Sequence, residues 1–241
     1  MIQLKYIVLL LLFAAMPETA VSQHVILNKG VPGNNTRDLL KRIEQDVLAE
    51  RPDLVILMVG TNDMVNSHKL VDYQEYRRNY QNIVEQLRGQ GAEIIVLAPP
   101  PVDAEYLFER HDRSLYKVDP NTRIETAGEI VKALAAENKV HFIDLNTPFK
   151  VAGSPSREEH SLIINEQNLG KRDGIHPTRE GYQMMAKIIH TYLQANGLLE
   201  DDQKIICFGD SMTYGSYMTG AGTAEGDTYP AVLKTLVLRS E

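Results

Sequence analysis

Lys204-Ile-Ile-Cys-Phe208 runs directly into Gly209-Asp210-Ser211-Met212-Thr213-Tyr214-Gly215. A short apolar, β-prone run that stops at a glycine reads as a buried strand delivering its chain into a tight turn. The same pattern recurs along the rest of the sequence. Strands are expected at Val25–Asn28, Leu54–Val59, Ile94–Ala98, Val140–Leu145 and Lys204–Phe208, and helices at about Thr36–Glu50, Asp72–Gly89, Asn121–Asn138, Thr178–Asn196 and Tyr229–Arg239. In the first helix, Leu39, Leu40, Ile43, Val47 and Leu48 follow one another at the three-and-four spacing of an apolar stripe. Pro230 stands in the first turn of the last helix, where its missing N–H costs little. Short apolar strands alternating with helical stretches imply a parallel sheet covered on both faces, so the expected fold class is a three-layer α/β/α sandwich around a five-stranded parallel sheet.

Ligands of open α/β sheets bind outside the carboxyl ends of the strands, and four turns carry unusual residues there. The serine of Gly209-Asp210-Ser211 can project its hydroxyl at the sheet edge with its own N–H near an oxyanion, although a plain turn serine satisfies the same triplet. In Asn28-Lys-Gly30-Val-Pro-Gly33-Asn34-Asn35-Thr36, Gly33 can bring its N–H close to a ligand because no side chain intervenes; a strand-to-helix turn needs glycine anyway. In Val59-Gly60-Thr61-Asn62-Asp63, Asn62 offers an amide donor, while Asn-Asp is also common turn chemistry. In Arg172-Asp173-Gly174-Ile175-His176-Pro177, the carboxylate can reach the imidazole three residues on and fix its tautomer; a capping Asp beside an incidental His is the plain alternative. Together the four turns supply a nucleophile, a base, an orienting acid and three oxyanion donors.

These blocks resemble the SGNH or GDSL hydrolase family: a serine in Gly-Asp-Ser, a glycine after the next strand, an Asn in Gly-x-Asn-Asp, and Asp-x-x-His. The resemblance implies the flavodoxin-like SGNH fold and a serine esterase with Ser211 as nucleophile, His176 as base and Asp173 as its orienter. It further implies an oxyanion hole formed by the N–H groups of Ser211 and Gly33 and the Asn62 amide. In the family the serine block comes first, whereas here the order is Asp173, His176, Ser211, so a circular permutation is expected. With a family sheet order of 2-1-3-4-5, the strands of this chain should lie in the order 1-5-2-3-4. A fragment of a tandem array is the rival explanation, disfavoured because each block occurs once.

The chain has 241 residues, 43% hydrophobic and 24% charged, which is ordinary globular composition, and one domain over residues 23–241 is expected. Thirty-two acids against 25 bases, a net charge of −7, give no footprint for nucleic acid or anionic lipid. Cys207 alone excludes an internal disulfide framework, and no histidine spacing suggests a metal, so neither metal nor cofactor is expected. Lys5 followed by the apolar run Tyr6–Met16 and then Glu18, Ala20 and Ser22 has the pattern of a signal peptide over residues 1–22, too short to span a bilayer of about 30 Å; a secreted or periplasmic protein without stable membrane insertion follows. Nothing in the residues specifies an oligomeric state.

The long segment Pro99–Pro120 places Tyr106 and His111 where substrate specificity is usually carried, and Asp210 and Asn34 flank the motifs closely enough to touch substrate. Gly220–Gly226 is glycine rich but matches no phosphate-binding pattern and reads as a mobile rim loop. The expected substrate is a small-molecule or glycan ester with a short acyl group, acetyl on carbohydrate, since no long apolar lid is visible. The alternatives are a lysophospholipase-like acyl hydrolase and a noncatalytic binding module on the same fold.

Overall fold

The computed structural model describes residues 24–239, so the expected signal peptide lies outside the described residues. In chain order the elements are β1 (Val25–Gly30), α1 (Thr36–Asp46), β2 (Leu54–Met58), α2 (Thr61–Val65), α3 (Tyr73–Arg88), β3 (Glu93–Ala98), α4 (Ala104–Phe108), α5 (Pro120–Asn138), β4 (His141–Asp144), α6 (Asn146–Val151), α7 (Glu166–Leu169), α8 (Arg179–Ala195), β5 (Lys204–Gly209), α9 (Ser211–Tyr214) and α10 (Tyr229–Leu238). The five strands form one parallel sheet in the order β1-β5-β2-β3-β4, the order the family resemblance implies.

Every residue of β2 is buried, and the pleat sorts its side chains between two cores. Val55 and Leu57 face α1, α3 and α5 through Leu39, Ile43, Tyr76, Tyr80 and Val131. Leu54, Ile56 and Met58 face α8 and α10 through Tyr182, Ile189, Leu233 and Val237. β5 divides in the same way, with Ile206 and Phe208 on the first side and Ile205 and Cys207 on the second. The capping chemistry explains where the helices begin. Asn35 forms a reciprocal capping box with Asp38 at the start of α1, and Thr178 caps α8 through the Gly181 N–H. Asp119 caps α5 just ahead of Pro120.

Two expectations change. The first helix ends at Asp46, with a separate 3₁₀ turn at Leu48–Glu50, because Val47 leaves the helical region (φ −126°, ψ −57°). The Gly220–Gly226 segment is a pinned turn rather than a mobile rim: Asp227 N–H donates to Thr219 O, Gly222 N–H to Tyr214 O, and the Asn28 amide reaches across from β1 to Thr223 O at 3.0 Å. Among the described residues no helix is long and apolar enough to cross a membrane.

Candidate active site

Because β5 lies between β1 and β2, the turns after these three strands are neighbours. Asp210 leaves β5 buried and caps α9 by accepting the Met212 N–H at 2.9 Å, which sets Ser211 at the first position of that short helix. The α9 backbone then passes so close to the end of β1 that a Cβ on Gly30 would stand 2.1 Å from Tyr214 N. Glycine is therefore required at position 30 for the serine turn to pack at all.

The Asp173–His176 turn precedes α8 and is held over the same sheet edge by backbone pairing. Ile164 N–H donates to His176 O at 2.8 Å, Gly174 N–H to Ile164 O at 2.9 Å, and Asp103 N–H to Gly174 O at 2.7 Å. Gly174 has φ +71°, and a Cβ there would meet the Cβ atoms of Asp103 and Tyr106 at 2.9 Å.

The side chains then converge. His176 Nδ1 lies 3.0 and 2.9 Å from the two Asp173 carboxylate oxygens, and His176 Nε2 lies 2.9 Å from Ser211 Oγ. The Asp173 carboxylate also accepts the backbone N–H groups of His176 (2.7 Å) and Ile175 (3.0 Å). Burial acts to raise the Asp173 carboxyl, but the hydrogen bonds and charge of His176 outweigh it and hold the group below its ordinary value. A carboxylate at Nδ1 keeps the proton there and leaves Nε2 as an acceptor facing the serine hydroxyl. That arrangement can take a proton from the hydroxyl as its oxygen attacks.

The donors lie on the facing wall. Asn62 Oδ1 accepts the Asn66 amide at 3.0 Å, which orients the Asn62 amide, and Asn62 Nδ2 donates to Asn34 O at 2.9 Å. An amide nitrogen carries two N–H groups, and the second makes only a long contact, 3.5 Å to Asp210 Oδ2, from which a ligand can recruit it. Gly33 adopts φ +75° with open space where a Cβ would be. Ser211, His176, Asp173, Gly33, Asn62 and His111 all line one cavity of about 470 Å³.

Asp210, Asn34 and Tyr106 are placed differently from the expectation that they touch substrate. Asp210 is buried beneath the serine turn, where burial pushes its carboxyl up to about 6 against the pull of the Met212 N–H, His176 and Arg42. Asn34 spends its side-chain oxygen on Arg42 Nε at 2.7 Å and its carbonyl on Asn62. Tyr106 is buried on α4 under the Gly174 turn. Composition placed an aromatic on a long loop, but a short amphipathic helix turned it inward.

Three further contributors escaped sequence reading, and a fourth, Arg110, lies in the Pro99–Pro120 segment it singled out. Arg110 donates to the backbone carbonyls of Arg172 and Asp173 and lines the cavity. Arg42 joins the turns after β1 and β5 by donating to Lys29 O and Gly209 O while stacking 4.6 Å over Phe208. Tyr217 packs against His176, and Asn66 orients Asn62. For Arg42, one signal was present in sequence: a basic residue interrupting the apolar face of α1. Among the described residues no group of three or more His, Cys, Asp or Glu side chains could hold a metal ion.

Residues 12–184 match the family model for the GDSL-like lipase/acylhydrolase family, a span that includes Gly33, Asn62, Asp173 and His176 and ends before Ser211. The chain is 31% identical over 185 residues to an acetylxylan esterase of Geobacillus stearothermophilus, covering 73% of this chain and 74% of that one. It is 25% identical over 186 residues to the uncharacterized lipoprotein YqeF of Bacillus subtilis (strain 168), again covering 73% and 74%. A lipase/acylhydrolase from Enterococcus faecalis shares the fold, with a TM-score of 0.55 and 24% identity over 71% of this chain and 75% of that one.

Proposed function

The chain belongs to the GDSL-like lipase/acylhydrolase family of serine ester hydrolases, and from that premise we propose that it hydrolyses short acyl esters, acetyl on carbohydrate in particular, at Ser211. The observation that carries this reading is the unbroken series from Asp173 through His176 to Ser211, opening on the same cavity as Gly33 and Asn62. Ser211 Oγ attacks the ester carbonyl carbon as His176 Nε2 accepts its proton. The carbonyl oxygen becomes an oxyanion held by the N–H groups of Ser211 and Gly33 and by the Asn62 amide. Collapse breaks the bond to the alcohol oxygen, which takes the proton back from His176. Water, deprotonated by the same imidazole, then attacks the acyl-serine and releases the carboxylic acid.

The acetyl and carbohydrate preference is supported by the acetylxylan esterase relative and by the hydrogen-bonding side chains of Arg110, His111 and Asn66 in the cavity wall. The order Asp173, His176, Ser211, with β5 last among the five strands but second in the sheet, supports a circular permutation of the family pattern. Residues 1–22 are read as an export signal ahead of a single domain. The lipoprotein name of the Bacillus subtilis relative supports a place outside the cytoplasm.

Hydrolysis of p-nitrophenyl acetate, butyrate and octanoate by wild type and Ser211→Ala tests the reading. Activity that falls with acyl length and disappears in Ser211→Ala is the expected result. A preference for octanoate redirects the assignment to a lipid acyl hydrolase, and an inert, well-folded wild type removes the catalytic reading.

A further inference from the structure

The cavity at Ser211 shares a wall with a second cavity of about 260 Å³, and the shared residue is Tyr217. The Tyr217 ring meets the His176 imidazole edge-on, with centroids 5.4 Å apart and planes at 76°. Its backbone stands at φ +71°, a conformation that L residues rarely adopt, and the residue is nonetheless 51% exposed. A large aromatic held in an unfavourable backbone conformation, half in solvent and against the imidazole, is poorly explained by core packing and points to a role at the site.

The direction of the chemistry says which part of a substrate the second cavity faces. In acyl transfer the proton on His176 Nε2 goes to the departing alcohol oxygen, so the alcohol half of the ester stands beside the imidazole. Tyr217 stands beside that imidazole, and the second cavity lies across Tyr217 from the first. Its walls combine Glu159, Arg179, Glu180 and Asp227 with two apolar faces, Leu169 and Tyr217, which are both exposed. Hydrogen-bonding groups around an aromatic and an aliphatic face fit a polyol ring, whose C–H face stacks while its hydroxyls are bonded at the rim. Arg179 and Asp227 pair with each other at 3.1 Å, and with Glu159 and Glu180 they give the cavity a charged rim that suits hydroxyls better than an alkyl chain.

We propose that this second cavity is a subsite for the alcohol moiety of a glycan ester, so that a saccharide whose ester carbonyl lies at Ser211 extends past Tyr217 and places a neighbouring sugar between Leu169 and Arg179. The proposal rests on the esterase reading and goes beyond it by assigning a chain-length preference to residues outside the catalytic group.

The test compares kcat/KM on p-nitrophenyl acetate, a peracetylated methyl xyloside and an acetylated xylotetraose, for wild type, Leu169→Ala and Arg179→Ala. The wild type is expected to favour the oligosaccharide over the monosaccharide by about 10-fold or more, the equivalent of one modest extra binding contact. Both variants are expected to lose most of that gain through KM while keeping wild-type rates on p-nitrophenyl acetate. A wild type active on p-nitrophenyl acetate with no oligosaccharide advantage overturns the subsite alone. So does an advantage that survives both substitutions, or a loss in the variants that is equal on all three substrates. A wild type inert on p-nitrophenyl acetate overturns the esterase reading and the subsite with it.

Discussion

Thr36 donates both its backbone N–H, at 3.1 Å, and its hydroxyl to the buried carboxylate of Asp63. The two residues are 27 positions apart, and the bond ties the first residue of α1, just after Gly33, to the turn that carries Asn62. The two proposed oxyanion donors outside the serine turn are therefore set against each other by a side chain that touches no substrate.

Burial pushes the Asp63 carboxyl up to about 7, opposed by the Thr36 hydrogen bonds and reinforced by the nearby Asp210. The folded chain thus holds a proton that the unfolded chain, with an ordinary value of 3.8, has released. Stability supplied by this group is present at acid pH and declines as pH rises from about 4 to about 7, by at most about 1.4 kcal/mol per pH unit. Urea midpoints between pH 5 and 8 should fall with pH more steeply in wild type than in Asp63→Asn, which has no proton to lose. Parallel curves for the two proteins would sink this assignment.

Asn62→Ala should lower kcat by about 10²–10³ with a small change in KM, since the donor is needed where charge develops on the carbonyl oxygen. Asn66→Ala, which frees the Asn62 amide to rotate, should give a smaller loss in the same direction. Steady-state kinetics on p-nitrophenyl acetate decides it: an Asn62→Ala enzyme with unchanged kcat takes this residue out of the oxyanion hole.

β5 pairs on both sides, with β1 and with β2, and places Ile205, Ile206, Cys207 and Phe208 in the two cores. Deleting the residues after Gly197 should therefore abolish cooperative folding along with activity, because β1 loses its only sheet neighbour among the described strands. Circular dichroism melting of the truncated chain is the check. A soluble product with a sharp thermal transition would contradict the central placement of β5.

The strands and long helices were legible because each is encoded locally. Leu54–Met58 is apolar without interruption, as a strand buried on both faces must be, and the α1 stripe has helical period over its own length. The short helices α2, α4, α6, α7 and α9 escaped notice because one turn of helix leaves no periodicity to read and depends on a cap and a tertiary contact. Asp103 at the start of α4 and Asp210 at the start of α9 supply such caps.

The sequence by itself determined the turns that carry Ser211, Gly33 and Asn62, each encoded with its glycines and flanking strand within a few positions, whereas Asp173 and His176 precede α8 far in sequence from any strand end. Strand order then brought those turns to one edge of the sheet. Only the tertiary structure decided that Tyr106 faces the core, that Arg42 and Asp63 fasten the turns from beneath, and that Tyr217 stands between two cavities. Those outcomes depend on which distant backbone approaches each side chain and on how much water it excludes. Neither is a property of local spacing: a carboxylate buried against Thr36 and one left in solvent are the same letter in the chain.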